Sequence, residues 1–350
     1  MITSRENENC GSAGLGHWQS SLWVCENDTT MKNHLTELIT THYTDQPVSL
    51  TLIPTDWGQM IYRVEQADQP RWILRVYPPS QSQKNLLHLA TLLWWLEQQH
   101  YPAERLIRTL HGEMMVVAEG WQLLLTTFLE GTPIDYTPTA LYPLGAAAGR
   151  LHALDLPTSR DQIPQAKMLP ARELAYAVSQ LNSVKQCTPK HLYRRYETLL
   201  AAIEGIQPCE PLPQVIIHND FHPGNALLSF SGNVALLDWE GAGWGPAILD
   251  IGFLLISCET PSPWAPRLMP DQNRMKAIID GYCQHHRLTV AELDYLPDAM
   301  RFRSLVYGAG HFARAIRRGI HVDEASWWWR RYLASEGLAE RARKHLEKAL

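Results

Sequence analysis

The chain has 350 residues, more than a single hydrophobic core usually supports, so one large two-lobed domain or two domains are expected. Its 45% hydrophobic and 19% charged residues are typical of a globular protein, and the net charge of −5 argues against a general nucleic-acid binder, which needs a basic face. The six cysteines are dispersed and no apolar run is long enough to span a membrane. We therefore expect a cytoplasmic protein without a disulfide framework, a zinc ribbon or a membrane anchor.

The N-terminal part of the chain changes from an irregular leader to alternating strand patterns. Residues 1–32 carry scattered Glu, Asn, Ser and Gly without a basic start or an apolar core, which predicts a disordered leader rather than a signal peptide. A short helix is expected from about Asn33. Apolar and polar residues then alternate in short runs that predict antiparallel strands around one long helix. In chain order these elements are strands at 48–52, 60–64 and 72–76, a helix at 82–99, and strands at 113–118 and 121–128.

After Gly131 the chain is mostly helical. Apolar residues recur there at spacings of three and four, which is typical of amphipathic helices. The predicted helices are 139–154, 171–184, 190–205, 246–258, 271–286, 291–318 and 324–348. The pattern predicts an α+β fold, with an N-terminal antiparallel-sheet lobe over 33–130 and a mostly helical C-terminal lobe over 131–350.

The most informative motif lies in the helical half, between two short apolar runs. His218 is followed by Asp220 two residues later and by Asn225 five residues after that. This is the spacing of a phosphotransferase catalytic loop, in which the Asp accepts the proton of an attacking hydroxyl and the Asn holds a metal on the nucleotide phosphates. A predicted buried strand at 233–237 then delivers Asp238, where the second metal ligand of such an enzyme is needed.

Together with these residues, several other segments resemble the aminoglycoside phosphotransferase and choline kinase superfamily, which has a protein-kinase-like fold. Residues 124–131 resemble its hinge between lobes, 144–152 resemble the following helix, and Gly245-Pro246 with Asp250 continue the family order. The resemblance covers about residues 45–340. It implies a bilobal kinase-like fold and transfer of the γ-phosphate of ATP, with Mg²⁺, to a hydroxyl of a small aminoglycoside-, amino-alcohol- or sugar-like molecule.

The motif and the resemblance assign roles to the residues of the catalytic loop. Asp220 is the expected base, and Asn225 and Asp238 are the expected magnesium ligands, since both offer hard oxygen atoms. The resemblance implies structural support of the loop by His218 and Asp250. Glu240, two residues after Asp238, is expected to support the site or to reach a cationic acceptor.

The nucleotide side of the predicted site depends on weaker signals. Arg75, on the third predicted strand, is the expected cation for the phosphates because a guanidinium binds two oxygens at once; an exposed strand arginine is the alternative. Residues 82–96 contain no acid that would orient it. Gly58 is expected in the loop over the phosphates, where a glycine allows close backbone approach. The resemblance implies that adenine meets the backbone of Thr127, Phe128 and Leu129.

The same residues are also compatible with other functional hypotheses. Because of the missing helix acid, a nucleotide-binding pseudokinase that acts as an interaction module is the main alternative. A metal-dependent hydrolase built on His218, Asp220 and His222 is a further one. A protein acceptor is disfavoured, since only residues 241–249 separate Glu240 from Asp250. The acceptor and the oligomeric state are left undetermined.

Three consecutive tryptophans, Trp327-Trp328-Trp329, stand near Tyr332 and suggest an aromatic cage for a quaternary amine. Consecutive residues of a helix point in different directions, so at most two of them can line one pocket. Packing in the core is therefore the favoured interpretation.

Overall fold

A computed structural model describes residues 29–55, 60–80, 82–156, 163–229, 232–260, 273–322 and 326–349. Within these ranges, no helix combines the length and the apolar character that crossing a bilayer requires.

The N-terminal part contains a five-stranded antiparallel sheet with the strand order β1-β2-β3-β5-β4. The strands are β1 (Ser49–Ile53), β2 (Met60–Gln66), β3 (Gln69–Tyr77), β4 (Val116–Ala118) and β5 (Trp121–Thr127). Two-residue turns at Ala67-Asp68 and Glu119-Gly120 have positive φ at both positions, which suits the twist of the strands that they join. The predicted meander is confirmed, although β4 begins three residues later than the expected start at Glu113.

Side chains along β3 and β5 point alternately to opposite sides, so the two faces of the sheet differ in composition. Leu74 and Val76 lie on the face that packs against α1 (Thr29–His42), where a separate small core forms. Arg75 and Tyr77 alternate with them and therefore point to the opposite face, together with Thr126 of β5. Helix α1 begins four residues before the predicted start at Asn33.

Helix α2 (Gln83–Gln98) lies between the sheet and the C-terminal lobe. It contacts β5 on one side and the turn Trp239–Gly241 on the other. Its apolar face, which includes Leu86, Leu93 and Leu96, belongs to the large core that continues into the C-terminal helices. The two lobes therefore share buried apolar surface through α2.

The C-terminal part is helical, as predicted. Its helices are α3 (Pro138–His152), α4 (Pro170–Asn182), α5 (Tyr193–Glu204), α6 (Ala247–Glu259), α7 (Asn273–Tyr282), α8 (Val290–Arg318) and α9 (Trp327–Leu346). Helices α3 and α7 pack at glycines, since a Cβ at Gly145 or Gly281 would collide with the backbone of the other helix. This close packing brings Tyr282 of α7 next to His152 of α3.

Two small antiparallel sheets interrupt the helices and carry the catalytic-loop motif. β7 (Gln214–Ile217) pairs with β10 (Gly243–Pro246), and β8 (Ala226–Leu228) pairs with both β6 (Thr132–Pro133) and β9 (Val234–Leu236). The fold is thus the predicted α+β class, with an N-terminal sheet lobe and a mostly helical C-terminal lobe.

Candidate active site

The catalytic loop is the segment between β7 and β8, and its backbone is locally strained. Asn219, in this loop, and Asp238, after β9, have φ values of 61° although neither is glycine. Such left-handed residues cost free energy and persist where surrounding contacts hold them, often at functional sites.

Asp250, near the start of α6, holds the beginning of this loop. Its two carboxylate oxygens accept hydrogen bonds from the backbone N–H groups of His218 (2.7 Å) and Asn219 (2.8 Å). His152 Nε2 lies 3.3 Å from the Asp250 carboxylate, and His152 Nδ1 lies 3.0 Å from the hydroxyl of Tyr282. A buried chain of polar groups from α7 through α3 therefore fixes the strained loop.

His218 ties the loop to the segment that carries Asp238. Its Nε2 lies 2.7 Å from the carbonyl oxygen of Leu237, so Nε2 carries the proton and donates it. The backbone N–H of Leu237 donates to the carbonyl of Asn225 (2.9 Å). Asp220, Asn225 and Asp238 are held in one place by these bonds.

The side chain of Asp220 is 38% exposed. Arg303 of α8 donates from Nη1 to one carboxylate oxygen (3.0 Å), and Asn225 donates from Nδ2 to the other (2.9 Å). Burial raises the pKa of Asp220, but attraction by Arg303 and by the nearby His222 outweighs burial, so the net pKa is lowered. The carboxylate is therefore ionised at neutral pH, as a proton acceptor must be.

Asn225 and Asp238 are the residues of this site that could hold a divalent cation. The hydrogen bonds of Asn225 use its Nδ2, which leaves the Oδ1 oxygen for a metal. The pKa of Asp238 is raised by burial and by repulsion from Glu240 and Asp220, and a cation there would relieve this repulsion. In the part of the chain that the structure describes, no three His, Cys, Asp or Glu side chains form a complete metal site, so phosphate oxygens would have to supply further ligands.

Arg75 has a partner acid that the sequence did not identify. Glu104, in the segment after α2, accepts hydrogen bonds from Nη1 (2.8 Å) and Nη2 (3.0 Å) of Arg75. Thr126 accepts from Nη1 (3.1 Å) and donates to Glu104 (2.7 Å). Burial disfavours the charge on Arg75, but Glu104, Tyr77 and Asp238 favour it and its pKa is raised. The interpretation as an exposed strand arginine is wrong, since Arg75 is 9% exposed.

Tyr77, two residues after Arg75 on the same face of β3, links the two lobes. Its hydroxyl donates to Glu240 Oε1 at 2.7 Å, and its pKa is raised by burial and by Glu240. Glu240 thus lies beside the predicted metal ligand Asp238 and is held by the N-terminal sheet. The contact fixes how the sheet lies over the catalytic segment.

The variant Tyr77→Phe is expected to lose about 1.5–3 kcal/mol of stability, since it removes a hydrogen bond to a charged group. It is also expected to raise the Mg²⁺ concentration needed for nucleotide binding, because Glu240 is no longer held. Urea unfolding and Mg²⁺ titrations of nucleotide binding measure both effects. Tyr43→Phe is the matched control, because the buried Tyr43 hydroxyl has no hydrogen-bond partner among the described residues. Equal effects of the two substitutions would contradict a specific role of the Tyr77 contact.

The hinge residues differ in how their backbone is used. The N–H of Thr127 donates to Arg105 O (2.9 Å) and that of Phe128 donates to Arg71 O (2.9 Å). The N–H of Leu129 makes none of the backbone hydrogen bonds found among the described residues. Of the three residues expected to meet adenine, Leu129 therefore has the available donor.

The remaining predicted residue, Gly58, lies outside the described residues, as does the whole turn 56–59. The structure brings Asp220 and Asn225 together, and Asp238 interacts electrostatically with Asp220, Glu240 and Arg75. Sequence reasoning missed Glu104 and Arg303, which contact Arg75 and Asp220. Glu104 could have been predicted as an acid that follows the end of α2. No local sequence pattern identifies Arg303 as a contact of Asp220.

The three tryptophans of α9 are divided between two surroundings. Trp328 stacks on Tyr307 with ring centroids 4.4 Å apart, and Arg331 lies over Trp327 at 4.1 Å. Trp329 packs against the large core, under the guanidinium of Arg195. Two of the three rings therefore belong to one cluster, and the cation in that cluster is a side chain of the protein.

A kinase-like α+β fold with a strained His-x-Asp loop, a strand-end Asp and a buried cation on the third strand defines a phosphotransferase of the kinase-like class. The chain matches the family model of the phosphotransferase enzyme family over residues 49–285 and belongs to that family, which confirms the predicted superfamily and class of enzyme.

Solved structures show the same fold at low identity. An amicoumacin kinase, solved with AMP-PNP, Ca²⁺ and Ami, is 16% identical with a TM-score of 0.62, and the match covers 91% of this chain and 94% of that one. The ethanolamine kinase of Plasmodium vivax is 13% identical with a TM-score of 0.63, over 90% and 91% of the two chains. Among curated proteins, the serine/threonine-protein kinase AGC1-5 of Arabidopsis thaliana is 26% identical over 166 residues, and the match spans only 28% of its length.

Proposed function

We propose that this protein transfers the γ-phosphate of ATP to a hydroxyl of a small polar molecule, with Mg²⁺. The observation that carries the proposal is the convergence of Asp220, Asn225 and Asp238 in one cleft whose N-terminal side holds the Arg75–Glu104 pair. In this division of the chain, the lobe of residues 33–130 binds the nucleotide and the lobe of residues 131–350 binds the acceptor.

Asp220 is the proposed base of a direct in-line transfer. The acceptor oxygen bonds to the γ-phosphorus, the bond from that phosphorus to the β,γ-bridging oxygen breaks, and the bridging oxygen leaves with ADP. The hydroxyl proton passes to the carboxylate of Asp220, which is ionised and partly open to the cleft. Arg303 and Asn225 orient this carboxylate towards the acceptor.

The nucleotide is proposed to bind along the inner face of the sheet. Among the described residues, Arg75 donates three hydrogen bonds to Glu104 and Thr126, two from Nη1 and one from Nη2. The N–H of Nε and the second N–H of Nη2 can therefore donate to phosphate oxygens. Leu129 offers its backbone N–H to adenine. Asn225 and Asp238 would hold Mg²⁺, which neutralises the phosphate charge when bound; Glu240 and Asp250 support the metal side and the loop.

A small acceptor fits the protein better than a peptide does. One curated relative is a protein kinase. Here, however, the residues between Glu240 and Asp250 form only a short turn, strand β10, which pairs with β7, and the start of α6. This leaves little chain for a platform that would bind a protein substrate. The dispersed cysteines support a cytoplasmic location.

Acceptor-dependent ADP release tests the proposal. The protein is assayed with ATP and Mg²⁺ against choline, ethanolamine, homoserine, aminoglycosides, fructosamines and simple sugars, and the phosphorylated product is identified by mass spectrometry. Release that requires both an acceptor and Asp220 supports the proposal. Nucleotide binding without transfer to any acceptor would instead favour the nucleotide-binding pseudokinase.

A further inference from the structure

Arg331 of α9 is a buried cation with an unused hydrogen-bond donor beside the candidate active site. Arg331 is 2% exposed. Nε donates to Thr260 Oγ1 (3.1 Å) and Nη2 donates to Thr260 O (2.8 Å). Nη1 is buried and has no hydrogen-bond partner in the described part of the protein. Such an unused donor on a charged group costs free energy unless a ligand accepts from it.

The positive charge of Arg331 has no carboxylate partner among the described residues. The neighbours that stabilise it are aromatic, with its guanidinium carbon 4.1 Å from the centroid of Trp327 and 5.5 Å from that of Trp328. Burial lowers the pKa of Arg331 to about 9, and repulsion by Arg303 adds to the lowering. The group is still a cation at neutral pH, and no adjacent carboxylate in the described part of the chain balances its charge.

Phe253 of α6 connects Arg331 to the catalytic loop. The guanidinium carbon of Arg303 lies 4.2 Å from the centroid of the Phe253 ring, and that of Arg331 lies 5.5 Å from it. The ring of His222 lies 6.0 Å from the same centroid. Arg303 also bonds to Asp220, and Asp220 interacts electrostatically with Arg331. A small molecule whose hydroxyl is at Asp220 can therefore place another group near Arg331.

Among the described residues, the charges on this side of Asp220 add up to an excess of positive charge. Arg303 balances the charge of Asp220. The positive charge of Arg331 is therefore the one that these neighbouring charges do not neutralise. A guanidinium matches the geometry of carboxylate and phosphate groups, and charge-assisted bonds to them are strong.

A cationic group does not fit at the same position. The faces of Trp327 and Trp328 are the natural place for a quaternary amine, but Arg331 already lies over both rings. An ammonium ligand there would meet a like charge in buried surroundings, which is unfavourable. This side of the cleft therefore selects against choline-like acceptors.

We propose that the acceptor carries an anionic group, a carboxylate or a phosphate, that accepts a hydrogen bond from Nη1 of Arg331 while its hydroxyl lies at Asp220. This inference rests on the proposed phosphotransferase function and narrows the substrate to a hydroxylated acid or a phosphorylated alcohol. Arg331 then sets specificity, and it does not take part in the transfer of the phosphate.

Matched acceptors that differ by one anionic group test the substrate class. ADP release is measured for ethanolamine against serine, 3-aminopropanol against homoserine, and glycerol against glycerate and glycerol 3-phosphate. The anionic member of at least one pair is expected to have a kcat/KM at least about 10-fold higher, as one charge-assisted hydrogen bond provides. The glycerate and glycerol 3-phosphate arms separate a carboxylate from a phosphate. Higher kcat/KM for the neutral or cationic members throughout would overturn the proposal.

Variants of two neighbouring arginines identify the residue responsible. Arg331→Met is expected to raise KM for the anionic acceptor about 10- to 100-fold with little change in kcat, and Arg331→Lys, which keeps the charge, is expected to recover part of the loss. Arg330→Met is the matched control, since Arg330 is exposed on the same helix. An unchanged KM in Arg331→Met would overturn the proposal, and melting temperatures show whether each variant is folded.

Binding measured without turnover separates this inference from the proposed function. Glycerate and glycerol 3-phosphate are titrated by calorimetry into wild-type protein and Arg331→Met with AMP-PNP and Mg²⁺ present. Binding of either anion that weakens in Arg331→Met supports the inference even if no transfer is detected. Transfer to neutral or cationic acceptors together with equal anion affinity in the two proteins would overturn the inference and leave the phosphotransferase function standing.

Discussion

Asp220→Asn is expected to abolish acceptor-dependent ADP release, with a fall in kcat of at least about 100-fold, because general-base catalysis by a positioned side chain contributes about 10²–10⁴-fold. The amide has nearly the shape of the carboxylate but cannot accept the hydroxyl proton. Arg303, which donates to Asp220 at 3.0 Å, can still donate to the amide oxygen. The loop is therefore expected to keep its fold, and the loss is expected in kcat rather than in nucleotide affinity.

Asp238→Asn in the same cleft is the informative comparison for this prediction. Asp238 is the proposed metal ligand, so its loss is expected to weaken Mg²⁺-dependent binding of AMP-PNP as well as turnover. Calorimetric titration of AMP-PNP with and without Mg²⁺, together with steady-state rates, distinguishes the two variants. Turnover retained in Asp220→Asn would contradict its role as the base, and equal loss of nucleotide affinity in both variants would contradict the separation of the two roles.

The site residues that could be predicted from the sequence are those whose partners in the site lie nearby in the sequence. Asp220 and Asn225 belong to one loop, and Asp238 follows the next hairpin, so local spacing already places their side chains together. Arg75 could be placed on the inner face of the sheet from the alternation of β3. The α+β fold followed in the same way from periods of two and of three to four residues.

The contacts that could not be predicted join distant parts of the chain. Arg303 is 83 positions from Asp220, and their bond depends on how α8 packs beside the catalytic loop. Glu104 is 29 positions from Arg75 and lies in a loop, where no periodic pattern marks which side chains point inwards. The acid that pairs with Arg75 was expected on α2, but it is Glu104, which lies after the end of that helix. Such pairs become visible only when the packing within each lobe is known.

This ion pair leads to a second prediction with a large expected effect. Arg75→Met and Glu104→Gln are each expected to lower the free energy of unfolding by about 3–5 kcal/mol, because each leaves the other partner as a buried, uncompensated charge. The pair is buried, with side-chain exposures of 11% and 3%. The double variant, which removes both charges, is expected to be more stable than either single variant. Urea unfolding measures these differences.

Nucleotide affinity separates the structural role of the pair from its proposed functional role. Arg75→Met and the double variant both lack the cation, so both are expected to bind AMP-PNP with Mg²⁺ more weakly than the wild type, even though the double variant regains stability. Arg63→Met is the control, since Arg63 forms a partly exposed ion pair with Glu65 in the same sheet, which is expected to contribute little to stability. Wild-type affinity in the double variant would mean that Arg75 only holds the sheet together. Weak binding in a stable double variant would instead mean that Arg75 itself binds the phosphates, as the strand cation does in other kinases.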